Sequence, residues 1–243
     1  MTDLTPRQQS LLKAIVEEYI ETAEAVGSEV VDKKYKLGVS PATIRNEMVK
    51  LTELGYLKQP HTSAGRAPTA VGFKYYISNL MEERELPIRD EVAVKEKLWD
   101  ERFQFHRLLR DLTRSLSEMT GGIAVATTRD GDIYYSGASQ VLDMPEFYDI
   151  DTTKTVLQMV EDAQEMIALF NRSVGEDPVK VLLGEEMGVP FLEPVGLVFT
   201  HYDAGKNHAG SLGVIGPSRM SYPRVIPTVR YFGDLLAEMS HSW

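Results

Sequence analysis

The chain has 243 residues, 43% apolar and 26% charged, which is ordinary for a folded protein and enough for one or two cores. It has no cysteine, which excludes disulfides, Cys-ligated zinc, iron–sulfur clusters and thiol catalysis. The net charge of −10 would argue against nucleic acid if it were spread evenly, and it is not.

The opening MTDLTPRQQ has no basic segment leading into an apolar run, so no signal peptide is expected. No apolar stretch is long enough to span a membrane, and a cytoplasmic location is expected. Thr5-Pro6 is an N-cap and first-turn pair. Leu11, Leu12, Ile15, Val16, Tyr19 and Ile20 follow at helical spacing. Gly27 breaks the chain, and Ser28 is expected to cap a second helix to about Tyr35. Leu37-Gly38-Val39 reads as a tight turn. Ser40-Pro41 opens a third helix with Ile44, Met48, Leu51 and Leu54 on its apolar face, and Gly55 sits where a left-handed residue ends it. Tyr56–Gln59 reads as a strand, 61–66 as a polar loop and Ala67–Thr69 as its return. Thr69 caps a fourth helix containing Phe73, Tyr76, Ile77 and Leu80. This order predicts a winged helix-turn-helix.

The same segment is a basic island. Residues 33–76 hold Lys33, Lys34, Lys36, Arg45, Lys50, Lys58, Arg66 and Lys74 against only Glu47 and Glu53, while both flanks are acidic. Such an island is the footprint of a polyanion-binding module. With the apolar face of the third helix turned inward, Ala42, Thr43, Arg45, Asn46, Val49 and Lys50 face outward or flank. Arg pairs bidentately with guanine and Asn with adenine, and Ser40 and Thr43 can reach a phosphate or a thymine methyl. His61, Thr62, Ser63, Gly65 and Arg66 are expected at the tip of the wing, with Arg66 entering a minor groove or bonding a phosphate.

The charged, Pro-containing stretch 82–97 reads as a linker. A long helix is expected to about Met119, with Leu98, Phe105, Leu109, Leu112, Leu116 and Met119 in a heptad-like seam. That seam fits either packing on its own domain or a contact with a second chain. Gly121-Gly122 ends the helix. Residues 123–141 read as a hairpin turning at Asp130-Gly131. Pro145–Phe147 begins a helical region and 152–171 reads as one helix. Strands are expected at 179–183, 195–201 and 211–215, and a last helix at about 223–239. Helices flanking a mostly antiparallel sheet make an α+β domain.

Other polar candidates are weaker. His106 lies on a helix face, Glu185-Glu186 are neighbours that point apart, and His201 and His208 bracket a hairpin turn with Asp203 between. A metal site there would lack ligands. No P-loop, GxSxG or HExxH is present. No cofactor, metal or catalytic activity is expected, although a metal-binding protein or enzyme built on the His201/His208 hairpin stays open.

The runs SPATIRNEM and PHTSAGRAPT within 33–77, the opening LTPRQQSLLKAIVEEYIETAEAVGSE and the closing GSLGVIGPSRMSYPRVIPTVRYFGDLL resemble the HrcA family of heat-inducible transcription repressors. The resemblance implies a winged helix-turn-helix domain over 1–81, the linker 82–97 and a GAF-like α/β domain over 98–243. It implies binding to CIRCE, an inverted-repeat operator of chaperone genes, by a homodimer whose active form the GroEL chaperonin supports. It places Ser40, Thr43, Arg45 and Asn46 in the recognition helix and His61, Thr62, Ser63, Gly65 and Arg66 in the wing. A repressor answering to a metabolite in the GAF-like domain is the alternative. Longer family members carry an inserted dimerisation domain for which this chain has no room. The dimer contact is therefore expected from the 98–119 helix or from the GAF-like sheet.

Overall fold

The computed structural model describes residues 4–61, 64–99, 104–172, 177–205 and 208–239. The chain divides into two compact units, Met1–Glu82 and Glu83–Trp243.

The first unit opens with α1 (Pro6–Thr22), α2 (Ser28–Tyr35) and α3 (Pro41–Glu53). Local chemistry sets their ends. The Thr5 hydroxyl accepts from Gln8 N at 3.3 Å while the Gln8 side chain accepts from Thr5 N at 3.0 Å, a reciprocal cap before Pro6. Gly27, not Ser28, caps α2, and it does so without a side chain. A short hairpin follows, β1 (Leu57–Lys58) against β2 (Ala67–Pro68), and then α4 (Ala70–Asn79). Thr69 caps α4 through Gly72 N and also donates to Gly55 O at 2.6 Å, which ties the hairpin to the end of α3. Gly55 has φ +82°, a left-handed conformation that stops α3 at little steric cost. Leu12, Ile15, Ile44, Leu51, Leu57 and Phe73 close the core of this unit.

The second unit begins inside the expected linker. Residues 82–97 carry most of α5 (Ile88–Trp99), whose Val94 and Leu98 are buried. The expected long helix to Met119 is instead a separate α6 (Phe105–Thr120), because Gln104 has non-helical angles of φ −126° and ψ 80°. The strands β3 (Ile123–Thr128), β4 (Ile133–Ser136), β5 (Val179–Leu183), β6 (Val195–Asp203) and β7 (Ala209–Pro217) form one antiparallel sheet in the order β4-β3-β7-β6-β5. The helix expected over 152–171 is two, α7 (Ile150–Glu161) and α8 (Ala163–Phe170). Asp162 leaves the helical region and its carboxylate caps α8 through Gln164 N and Glu165 N. The helix α9 (Tyr222–Met239) follows the sheet.

Alternation along the strands gives the sheet two faces. Ile123, Val125, Leu197, Phe199 and Ile215 pack with Val156, Val160 and Phe170 of α7 and α8. The other face meets α6 and α9. The α6 seam is spent on this packing, since Leu109, Leu112 and Leu116 have no exposed surface. It is therefore not available to a second chain. The unit is a sheet between two helical layers, the α+β arrangement expected.

Candidate nucleic-acid interface

Helix α3 is set down as a platform. The Ser40 hydroxyl accepts from Thr43 N at 3.3 Å and lies 3.0 Å from the Thr43 hydroxyl, while Pro41 fixes the first turn. Ile44, Met48 and Leu51 anchor the inner face. The outer face presents Ala42, Arg45, Asn46 and Val49 at spacings of three and four. All four are exposed, and Arg45 and Asn46 make no hydrogen bond or ion pair among the described residues.

Several other cations are already engaged. Lys50 Nζ lies 3.0 Å from Glu47 Oε1, and Gln8 Nε2 donates to the other oxygen of that carboxylate at 3.1 Å. The hydrogen bond from Lys50 holds the Glu47 carboxyl below its usual range. Lys34 lies between Glu18 and Glu21, at 2.7 and 2.6 Å, and the hydrogen bonds to these two carboxylates hold its ammonium above its usual range. Lys33, Lys36 and Lys58 are exposed and carry no ion pair among the described residues. The positive field of the island therefore comes from fewer groups than its composition suggests.

The wing differs from expectation at Arg66. This residue sits at the base of the wing, not the tip. Its backbone exchanges two hydrogen bonds with Val26, at 2.8 and 2.9 Å, and its Nε donates to the Thr52 hydroxyl at 3.1 Å. The residue is half-buried, and its Nη1 also donates to Gly65 O at 3.4 Å. Gly65 lies against the same bridge, where a Cβ would come within 2.3 Å of the Val26 carbonyl. His61 is exposed and its carbonyl accepts from Ala64 N. Thr62 and Ser63 lie outside the described residues.

Between the start of α2, α3 and the wing lies a concavity of about 500 Å³, lined among others by Ser28, Arg45, Gln59, Gly65 and Arg66. Ser28 and Gln59 were not among the sequence candidates. Nothing local marks them, since the fold alone brings them beside Arg45. The His201/His208 pair does not converge. His201 Nδ1 lies 2.8 Å from the Ser211 hydroxyl, and the His208 ring lies tilted against that of Phe105, with centroids 4.3 Å apart. Among the described residues no group of three or more His, Asp or Glu could hold a metal. Nor is any helix among them long and apolar enough to cross a membrane.

Two family models match this chain. A winged helix-turn-helix transcription repressor model, HrcA DNA-binding, covers residues 3–80, and an HrcA protein C-terminal domain model covers 77–226. Among curated proteins it is similar to the heat-inducible transcription repressor HrcA of Syntrophobacter fumaroxidans and to that of Symbiobacterium thermophilum. Each is 28% identical, with coverage of 98% of this chain and 98% of the relative for the first, and 96% and 98% for the second. The first alignment runs over 341 positions against 243 residues here, so a large part of the relative has no counterpart in this chain. A crystal structure described as a hypothetical protein superposes with a TM-score of 0.77 at 22% identity, covering 98% of both chains. That likeness shows the fold.

Proposed function

Because the chain belongs to the HrcA family of heat-inducible transcription repressors, we propose that it holds chaperone genes silent by binding a CIRCE-type inverted repeat. It is a DNA-binding regulator and not an enzyme. The observation that carries the operator reading is the exposed Arg45/Asn46 stripe on a helix whose other face is locked into the core. In this reading α3 lies in the major groove, and Arg45 and Asn46 read base edges there. Lys33, Lys36 and Lys58 neutralise phosphates, and the wing follows the backbone beside them. Arg66 and Gly65 hold the wing against α3, so their part is to position it.

Two heads on one inverted repeat require a dimer, and the protein acts in the compartment that holds the DNA. Control by a GroEL-type chaperonin rests on the family resemblance. The test is a salt titration of binding to a CIRCE duplex against a scrambled duplex of equal length. Specific binding at least about a thousandfold tighter at physiological salt supports the reading. Equal, weak and steeply salt-dependent binding to both defeats it.

A further inference from the structure

Helix α5 has two apolar faces, one buried and one exposed to a large extent. Val94 and Leu98 are buried, at 7% and 0% exposure. Ile88, Val92 and Trp99 are 78%, 49% and 41% exposed. At 3.6 residues per turn these three fall within roughly 40° of one another, about a third of a turn from the buried pair. Lys95 shares the stripe, its ammonium 6.0 Å from the centre of the Trp99 ring. An aligned, exposed Ile, Val and Trp on one helix marks an interaction surface.

We propose that this stripe joins two copies of the chain as an antiparallel helix pair about a two-fold axis. An isologous contact must complement itself, and this one does. Antiparallel pairing sets Ile88 against the partner's Trp99, with Val92 and the Lys95 stem near the axis. Arg89 and Glu96 lie on the same edge of the stripe, one heptad apart. The antiparallel arrangement therefore brings Arg89 to the partner's Glu96, and Glu96 to the partner's Arg89. A parallel pair would put these same-edge residues on opposite sides of the contact and make neither ion pair. Arg89 now touches Asp90 at 3.1 Å, but its side chain is 87% exposed and free to change partners.

Two further observations point to a second copy. The α6 seam that could have served is buried within its own unit. The curated relatives also carry a large stretch that is missing here, so no contact made through it is open to this chain. A helix of twelve residues is only about 18 Å long, so the contact is small and the free dimer weak. Engaging both heads on one duplex reinforces it through effective concentration.

The inference deepens the repressor reading, yet its test needs no DNA. Sedimentation of the full chain should show a monomer–dimer equilibrium at micromolar protein. The double variant Ile88→Lys/Val92→Lys should raise the dissociation constant by about tenfold or more. Arg89→Glu and Glu96→Arg should each weaken the dimer, and the two together should restore it to within about twofold, which a folding defect would not do. A protein that stays monomeric at about 100 μM, or a dimer indifferent to all these changes, overturns the proposal. If the dimer responds as stated but neither CIRCE nor scrambled duplex is bound, the α5 contact stands and the operator reading fails.

Discussion

Arg45 and Asn46, unlike Thr43, Glu47, Lys50 and Thr52 of the same helix, have nothing among the described residues to hold them. A side chain that meets a base edge must be free of local partners yet fixed at its root. Ile44 and Met48, both buried, fix the root. Arg45→Ala is expected to cut the preference for operator over scrambled duplex by about 1–3 kcal/mol, measured as a ratio of binding constants at one salt concentration. Lys50→Ala should weaken both duplexes alike, and only slightly, because Glu47 already balances that charge. The outward face of α3 was legible because helical spacing is a local rule and three apolar residues define its inner side. The seat of Arg66 was not, because Thr52 and Val26 reach it only through the fold, as Gln8 reaches the Glu47 carboxylate that pairs with Lys50. Gly65 follows the same logic. Its need is close approach, not a special φ, which a lone glycine in a loop cannot announce. Gly65→Ala is expected to cost about 2 kcal/mol of stability in denaturant unfolding, since the new Cβ meets backbone that cannot move aside.

Among the elements, α5 and α9 show how a segment read as linker becomes structure. Pro227 lies inside α9 and has no N–H, so the carbonyl of Pro223 lacks its usual helical donor. Arg84 N–H donates to it at 2.8 Å. Glu83 takes both amino groups of Arg230 at 2.6 and 2.9 Å, Tyr231 donates to Glu91 O at 2.8 Å, and Lys95 pairs with Glu238. These contacts join residues more than 130 positions apart, which periodicity cannot detect. The caps at Thr5, Ser40, Thr69 and Asp149, by contrast, each act within three residues, and the first three were readable for that reason. The Arg230 hydrogen bonds hold the Glu83 carboxyl below its usual range. The folded state therefore favours the ionised form, and the stabilisation is present above the unfolded carboxyl value of about 4.3. It is lost as pH falls through the lowered folded value. Arg230→Ala is expected to lower stability at pH 7 by up to about 1 kcal/mol, as the pair is partly exposed. The difference from wild type should vanish in acid. Thermal unfolding of both proteins across pH 3–8 checks the sign; a gap that widened in acid would contradict it.

At the scale of the whole molecule, an acidic chain must approach a polyanion through one small basic surface. The net charge of −10 means that long-range attraction is local to the first unit and strongly screened by salt. The free cations of that surface then determine the salt dependence, with each neutralised phosphate adding about 0.9 to the slope of log K against log salt. Lys33 lies on α2 and Lys36 caps its C-terminus, and α2 is the helix that crosses the backbone when the next helix enters the major groove. Replacing both with alanine removes two phosphate contacts per head. A protein engaging the operator with one head should lose about 2 from the slope, and one engaging with two heads about 4. The same titration on Ile88→Lys/Val92→Lys separates the heads from the contact that joins them. If the stripe on α5 couples two heads, that variant should have about half the wild-type slope, and adding Lys33→Ala/Lys36→Ala to it should remove about 2 more. A slope unchanged by the α2 substitutions in either background would place α2 away from the phosphates and require a different docking of the first unit.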